Sequence, residues 1–303
     1  HVGGVILFDR EIATDQPRNI RSITQLEKLC KNLRHELGDH LIISVDQEGG
    51  QVARLNRRSG FSYTLSAAAF AETYKNIGPE ALQGFILQKA ADIGWFGINL
   101  NFAPCVDLAI NPESSIIAKK DRSFSADPSL VVQCAATIID AHRELGVRCC
   151  IKHFPGHGSA RGDTHEGLVD ITDTHEPKEI YPYAKLIEQY GSSLAVMTGH
   201  LVHRARDAHN PASLSRTITT GWLRDELDFT GVVITDSLDM GGAVGPGAAV
   251  RAINAGADIA LNGNNTANGF DPGLIRRLHA EIHQGVEPER IYESSKRIAD
   301  WIR

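Results

Sequence analysis

The strongest constraint in this chain is a repeated alternation. Short β-branched runs at Gly4 to Phe8, Leu41 to Val45, Ile98 to Phe102, Val147 to Ile151, Leu194 to Thr198, Val232 to Thr235 and Ile259 to Asn262 are separated by stretches with 3.6-residue apolar periodicity. Those stretches predict helices over Thr24 to Leu37, Pro79 to Ile93, Ser129 to Leu145, Lys178 to Tyr190, Thr219 to Glu226 and Ala248 to Ala255, with Asp127-Pro128 as a start signal and Gly38, Gly146, Gly191 and Gly256 as stops. A βα repeat implies parallel strands joined by right-handed crossovers, so the choice lies between an open doubly wound sheet and a closed barrel. Polar residues follow strand after strand: Asp46-Gln47-Glu48, Asp107, Lys152-His153, His200 and Asp236. A barrel collects such residues from many strand ends at one mouth, whereas an open sheet concentrates them at a single switch point. The expectation is therefore a single-domain (β/α)8 TIM barrel spanning residues 1–303, its first strand upstream of residue 1 and its helical tail, Pro288 to Ile302, packed outside. No composition shift, linker or repeat marks a second domain.

The charge balance narrows the partners. With 31 Lys+Arg against 37 Asp+Glu, a net −6, and no basic cluster, the chain carries no electrostatic footprint for nucleic acid or for an anionic membrane surface. No run approaches the ~18 apolar residues of a membrane span. The five cysteines are odd in number, lack CxxC spacing and mostly sit in apolar stretches, which reads as buried free thiols. A cytoplasmic, monomeric protein is expected, with a processed periplasmic or envelope protein as the other reading.

Four segments carry chemistry. The densest is Lys152-His153-Phe154-Pro155-Gly156-His157-Gly158 followed by Gly162-Asp163-Thr164-His165. An Asp two residues before a His can accept from one ring nitrogen and fix the tautomer, leaving the other nitrogen to donate a proton; Asp163 and His165 thus read as an acid/base dyad on a glycine-flanked loop. The plainer reading of His157, between two glycines, is a hydrogen-bonder in the turn. Lys152, directly after an apolar strand, points to the ligand mouth. In Val232-Val233-Ile234-Thr235-Asp236-Ser237-Leu238-Asp239, Asp236 ends an apolar strand and would need donors or a cation, Lys152 or Arg122, while Asp239 suits a helix cap. The segment Asp46-Gln47-Glu48-Gly49-Gly50-Gln51-Val52-Ala53-Arg54, and Arg122 in the loop before a helix, offer carboxylates, an amide and guanidinium groups of the kind that bind sugar hydroxyls.

Together the ordered blocks VDQEGG, DRSFSADP, KHFPGHG with GDTH, and GVVITDSLDM resemble glycoside hydrolase family 3, and within it the β-N-acetylglucosaminidases, over nearly the whole chain. The resemblance implies Asp236 as nucleophile, His165 as acid/base with Asp163 as its partner, and Asp46, Arg54, Arg122, Lys152 and His153 as holders of the terminal sugar. It also implies a retaining double displacement on terminal β-linked N-acetylglucosamine, on muropeptide fragments of peptidoglycan, with no cofactor and no metal. Ser237 and Asp239 stand where many members carry Asp and Ser, and the stretch Gly241 to Val250 looks shorter than usual. Four alternatives remain at this point: phosphorolysis in place of hydrolysis, another family 3 β-glycosidase activity, a metal-dependent barrel hydrolase using His153, His157, His200, His203 and Asp236, and a non-catalytic sugar-binding protein.

Overall fold

The computed structural model describes residues 3–243 and 245–303; Val244, inside the stretch after Met240, lies outside them. Its main sheet has six parallel strands in sequential order: β1 (Gly4–Leu7), β2 (Ile42–Val45), β3 (Leu100–Asn101), β4 (Arg148–Phe154), β5 (Ala195–Thr198) and β6 (Val232–Thr235). Helices α1 (Ile23–Leu37), α2 (Ala67–Gly94), α3 (Pro128–Glu144), α4 (Tyr181–Tyr190) and a wide π-type helix (Thr217–Glu226) connect them, and α5 (Ala248–Ala255), α6 (Leu274–Gly285) and α7 (Pro288–Ile302) follow. None of the described helices is long and apolar enough to cross a membrane. The predicted helices form, with α2 longer than expected because Ala67 to Ile77 joins it across a break at Gly78, whose φ is 81°. Only α6 lacks a counterpart in the sequence reading.

The expected closed (β/α)8 TIM barrel does not form. The sheet is an open, curled half-barrel that sweeps 210° and leaves its edges 12 Å apart. The seventh run, Ile259 to Asn262, meets β6 at one bridge, Ile234 with Ile259, and then leaves the ladder. Backbone bonds join the two at that bridge, Ile259 N to Val233 O (3.1 Å) and Thr235 N to Ile259 O (3.0 Å), and side chains take flanking positions: Asp258 Oδ2 accepts from Val233 N (3.0 Å) and Thr235 Oγ1 from Leu261 N (3.0 Å). Beyond lies an Asn/Gly-rich turn in which Asn264 has φ +47°, outside strand geometry. Gly263 in that turn sits so close to the Phe8 ring that a Cβ there would lie 3.2 Å from it, so loop packing rather than a ladder bridges the gap.

Side-chain parity then sorts the core. Residues one apart on a strand face opposite sides, and Ile43, Val45, Cys149, Ile151, Val196 and Val233 pack outward against the helices. Ile42, Leu100, Cys150, Ala195, Met197, Val232 and Ile234 line the concave side, where they meet Trp301, Ile298 and Ile302 of α7. The tail thus plugs the bore at the N-terminal ends of the strands instead of packing outside, because a half-open sheet leaves its inner apolar face in need of cover. Trp301 is 4% exposed and its Nε1 donates to Ser193 O at 3.1 Å. The same parity carries past the strand ends, so Asp46, Lys152 and Asp236, two residues beyond Ser44, Cys150 and Ile234, continue the concave face at the opposite mouth.

Asp258 ties the open edge together. Its fully buried carboxylate meets Arg224 Nη2 (2.7 Å), Arg297 Nη1 (2.5 Å) and Ser294 Oγ (2.9 Å) as well as Val233 N, linking the π-type helix, α7 and β6. Asp258→Ala should cost about 3–5 kcal/mol, since it strands two guanidinium groups and a strand amide in the interior; urea denaturation measures it, and a loss under about 1 kcal/mol would contradict this role.

Candidate active site

Directly after β2, Gln47–Gly49 pairs with Val52–Ala53 in a short antiparallel hairpin. Gly49, at φ +108°, approaches the backbone of Leu65 so closely that a Cβ would lie 1.9 Å from its carbonyl oxygen, which only glycine permits. The hairpin sets two carboxylates beside the end of β4. Lys152 Nζ, 3% exposed, bonds Asp46 Oδ1 at 2.8 Å and Glu48 Oε1 at 2.6 Å. Arg122 closes the cluster with a two-pronged grip on Glu48, Nε to Oε2 and Nη2 to Oε1, both 2.8 Å, while its Nη1 donates to Ile116 O at 3.0 Å. Arg54 stands further off, 3.6 Å from Asp46 and 3.7 Å from Asp9.

The end of β4 is organised by Asp107. Its carboxylate accepts from His153 Nδ1 (2.6 Å), His153 N and His157 N (2.7 Å), which turns His153 Nε2 toward Arg122 Nη2 at 3.2 Å. Gly158 packs against Leu108, where a Cβ would sit 1.8 Å from the carbonyl oxygen, and there the chain leaves for the loop of Asp163 and His165. On that loop Asp163 Oδ1 accepts from both His165 N (2.8 Å) and His165 Nδ1 (2.7 Å); the His165 side chain is 59% exposed and its Nε2 has no hydrogen-bond partner among the described residues. The segment after Met240 holds the loop by its backbone: Gly241 N donates to His165 O at 3.3 Å and Gly242 N to Thr164 O at 3.0 Å.

Asp236, at the end of β6, accepts from Ser237 N at 2.7 Å and is near enough to His200, His153 and His165 for their charge to bear on it. His200 itself is buried and engaged on both ring nitrogens, with Ser213 Oγ (2.7 Å) and Ser237 O (2.9 Å). Asp239 does not cap a helix; it accepts from Ser237 Oγ (2.5 Å) and Asn265 N (3.3 Å), so the exchanged Ser237/Asp239 pair still hydrogen-bonds.

All eight residues singled out in the sequence therefore lie at strand ends, or on the hairpin and loops leaving them, on the same side of the sheet. Two more belong with them: Glu48, which the sequence offers only as one of the carboxylates of its segment, and Asp107, which it marks only as a polar residue after a strand; the signal was an acid beside or inside an apolar run, which cannot stay buried without partners. The alternative metal set does not converge, since His203 stacks with His175 and Trp222 instead. Among the described residues Cys105, Asp107 and His153 bring ligand atoms within 4.8 Å of one another. They are engaged with each other, with Cys105 Sγ donating to Asp107 at 3.2 Å, and they adjoin the Arg122 guanidinium, whose charge opposes a cation.

Electrostatics follow from burial and pairing. Burial pushes Glu48 toward its neutral form, but Arg122 and Lys152 outweigh it and hold the carboxyl well below the ordinary range. The same contest, won by the histidines and backbone donors around them, lowers Asp107 and Asp236. Burial pulls the imidazoles of His142 and His157 down to about 4. Unfolded, these two take up protons near about 6.5, so their neutral burial stabilises the fold above that pH and the contribution is lost as pH falls from about 6.5 toward 4. Glu48, Asp107 and Asp236, with depressed folded values, contribute above the unfolded carboxylate value of about 4 and lose it on further acidification. Calorimetric Tm should thus decline in two stages, and Glu48→Gln should flatten only the lower one. A constant Tm from pH 7 to 4.5 would contradict the buried neutral imidazoles.

The comparisons with known proteins agree on one family. The family model described as "Glycosyl hydrolase family 3 N terminal domain" matches residues 1–300. The chain is 32% identical over 309 residues to Beta-hexosaminidase A of Pseudoalteromonas piscicida, covering 96% of this chain and 50% of that protein. It is 36% identical over 275 residues to Beta-hexosaminidase of Tolumonas auensis, covering 88% of this chain and 77% of that one. A solved glycoside hydrolase family 3 beta-N-acetylglucosaminidase from Paenibacillus sp. superposes with a TM-score of 0.85 at 29% identity, over 99% of this chain and 56% of that structure. The chain thus spans about half the length of the first of these relatives and of that solved structure. With the match running from residue 1 to residue 300, this chain belongs to glycoside hydrolase family 3.

Proposed function

We propose that residues 1–303 act as one catalytic unit, an exo-acting, retaining β-N-acetylglucosaminidase that removes terminal β-linked N-acetylglucosamine, with muropeptide fragments as the substrate class. The observation that carries this reading is the pairing of Asp163 with His165 Nδ1 at 2.7 Å, which leaves Nε2 open on the side of the sheet where Asp236 lies. Asp236, held ionised, attacks the anomeric carbon while His165 Nε2–H protonates the departing glycosidic oxygen; a glycosyl ester on Asp236 forms and the aglycone leaves. Water then attacks the same carbon, giving its proton to His165, and releases the sugar with Asp236 restored. Asp163 fixes the ring through Nδ1, so Nε2 is the nitrogen that carries the transferred proton. Asp46, Arg54, Arg122, Lys152 and His153 hold the hydroxyl and acetamido groups of the terminal ring. Five buried, unpaired cysteines support a reducing compartment, the cytoplasm, and the chain is taken to work as a monomer without a cofactor.

Two outcomes test the assignment. His165→Ala should lower kcat/KM on oligosaccharide substrates by roughly 10²–10⁴ while leaving activated aryl glycosides far less affected; equal losses on both would remove the proton-donor role. Asp236→Asn should lower turnover by about 10⁴-fold or more on every substrate. Mass spectrometry after incubation with a 5-fluoro-N-acetylglucosaminyl fluoride should place a covalent sugar on the Asp236 peptide. Free sugar as product in phosphate buffer supports hydrolysis, and sugar 1-phosphate would redirect the reading to phosphorolysis.

A further inference from the structure

A chain of buried hydrogen bonds runs from the outer helical layer to the mouth, and none of its members belongs to the sugar-holding set. His142, near the end of α3, is 4% exposed; its Nδ1 meets Ile138 O, one turn back, at 2.8 Å. A carbonyl only accepts, so Nδ1 carries the proton and Nε2 presents a lone pair. That lone pair faces Asn101 Nδ2 at 3.1 Å. Asn101, at the end of β3 and fully buried, spends its second Nδ2 hydrogen on Gln47 O (3.2 Å) and accepts from Gln47 N on Oδ1 (3.0 Å). The amide thus grips both polar atoms of Gln47 as a neighbouring strand would. The Gln47 side chain completes the clamp, bonding Leu55 N (2.9 Å), Leu55 O (3.1 Å) and Thr64 Oγ1 (3.1 Å). On either side of Gln47 stand Asp46 and Glu48, the two carboxylates on Lys152.

The orientation of the Asn101 amide is the critical point. Turned over, it would set its oxygen against Gln47 O and the His142 lone pair and its NH2 against Gln47 N, losing three buried bonds at once. The Gln47 backbone already selects this orientation; the imidazole reinforces it by accepting the one Nδ2 hydrogen that Gln47 leaves free, and burial keeps it neutral down to about pH 4.

We propose that His142 and Asn101 are positioning residues for the sugar-binding carboxylates: the acceptor Nε2 of His142 braces the Asn101 amide from behind, and that amide holds the Gln47 backbone so that Asp46 and Glu48 meet Lys152. The proposal rests on the glycosidase reading for its kinetic consequence and on geometry alone for its structural one.

The discriminating variants are His142→Gln, whose side-chain oxygen reaches the place of Nε2, and His142→Asn and His142→Leu, which offer no acceptor there. On an aryl N-acetyl-β-glucosaminide, the Asn and Leu variants should raise KM about tenfold with kcat within about threefold of the parent, and Gln should return KM to within about threefold, as fits one lost buried hydrogen bond acting on binding. Hydrogen exchange of the peptide containing residues 42–55 should quicken in Asn and Leu and recover in Gln. Equal KM and equal exchange among Gln, Asn and Leu would overturn the proposal, as would a loss confined to kcat. Should Leu fail to fold, the Gln and Asn pair decides. If the parent protein shows no glycosidase activity, the functional reading fails while exchange still tests the clamp.

Discussion

A carboxylate almost sealed from water, the Glu48 side chain at 4% exposure, sits between Arg122 and Lys152 at the centre of the mouth. Burial of such a group alone costs several kcal/mol and would neutralise it. The guanidinium fork supplies two parallel bonds in the geometry a carboxylate prefers, and the ammonium adds a third. These partners come from three separate parts of the chain: a hairpin after β2, the loop before α3 and the end of β4. An incomplete assembly therefore leaves an uncompensated charge inside the protein, and the mouth is stable only when all three have arrived. Asp107 repeats the pattern one layer along, with backbone and imidazole donors in place of cations.

The rest of the fold serves to bring those strand ends to one side. The outward face of the sheet buries its branched residues under the helices, while the concave face is stopped at the far end by Trp301 and its α7 neighbours. Plugging covers the apolar bore below the site, and the polar residues gather at the C-terminal mouth, the end of a parallel sheet where ligands generally bind. Asparagine amides do quiet work in this frame. Asn99 holds Leu41 O and Ile43 N (3.1 and 2.8 Å) and Asn101 holds Gln47, so β3 needs only two ladder residues to fasten β2 and its hairpin.

Much of this was legible in the residues. Six of the seven β-branched runs are strands, the helix start at Asp127-Pro128 is a true cap with Asp127 Oδ1 accepting from Ser129 N at 2.9 Å, and the Asp163 and His165 pair makes the bond its spacing suggested. The seventh run failed because periodicity reports which residues like to be buried and not where the hydrogen bonds go: the Asp258 side chain takes Val233 N, Thr235 Oγ1 of β6 takes Leu261 N, and beyond the bridge at Ile259 the apolar run packs without extending the sheet. Glu48 and Asp107 were visible as misplaced acids, yet their roles depended on partners 74 and 46 residues away.

What the sequence by itself determined was local: element type, strand parity, the caps, and the assembly of acids, cations and imidazoles at successive strand ends, all of which follow from spacings of two to four residues. Only the tertiary structure decided how far the sheet curls, that it stays open, that the C-terminal helix turns inward as a plug, and which acid meets which cation. Those outcomes depend on long-range steric fit and on buried groups finding every partner they require, and no periodicity encodes a contact between residues that meet only after folding.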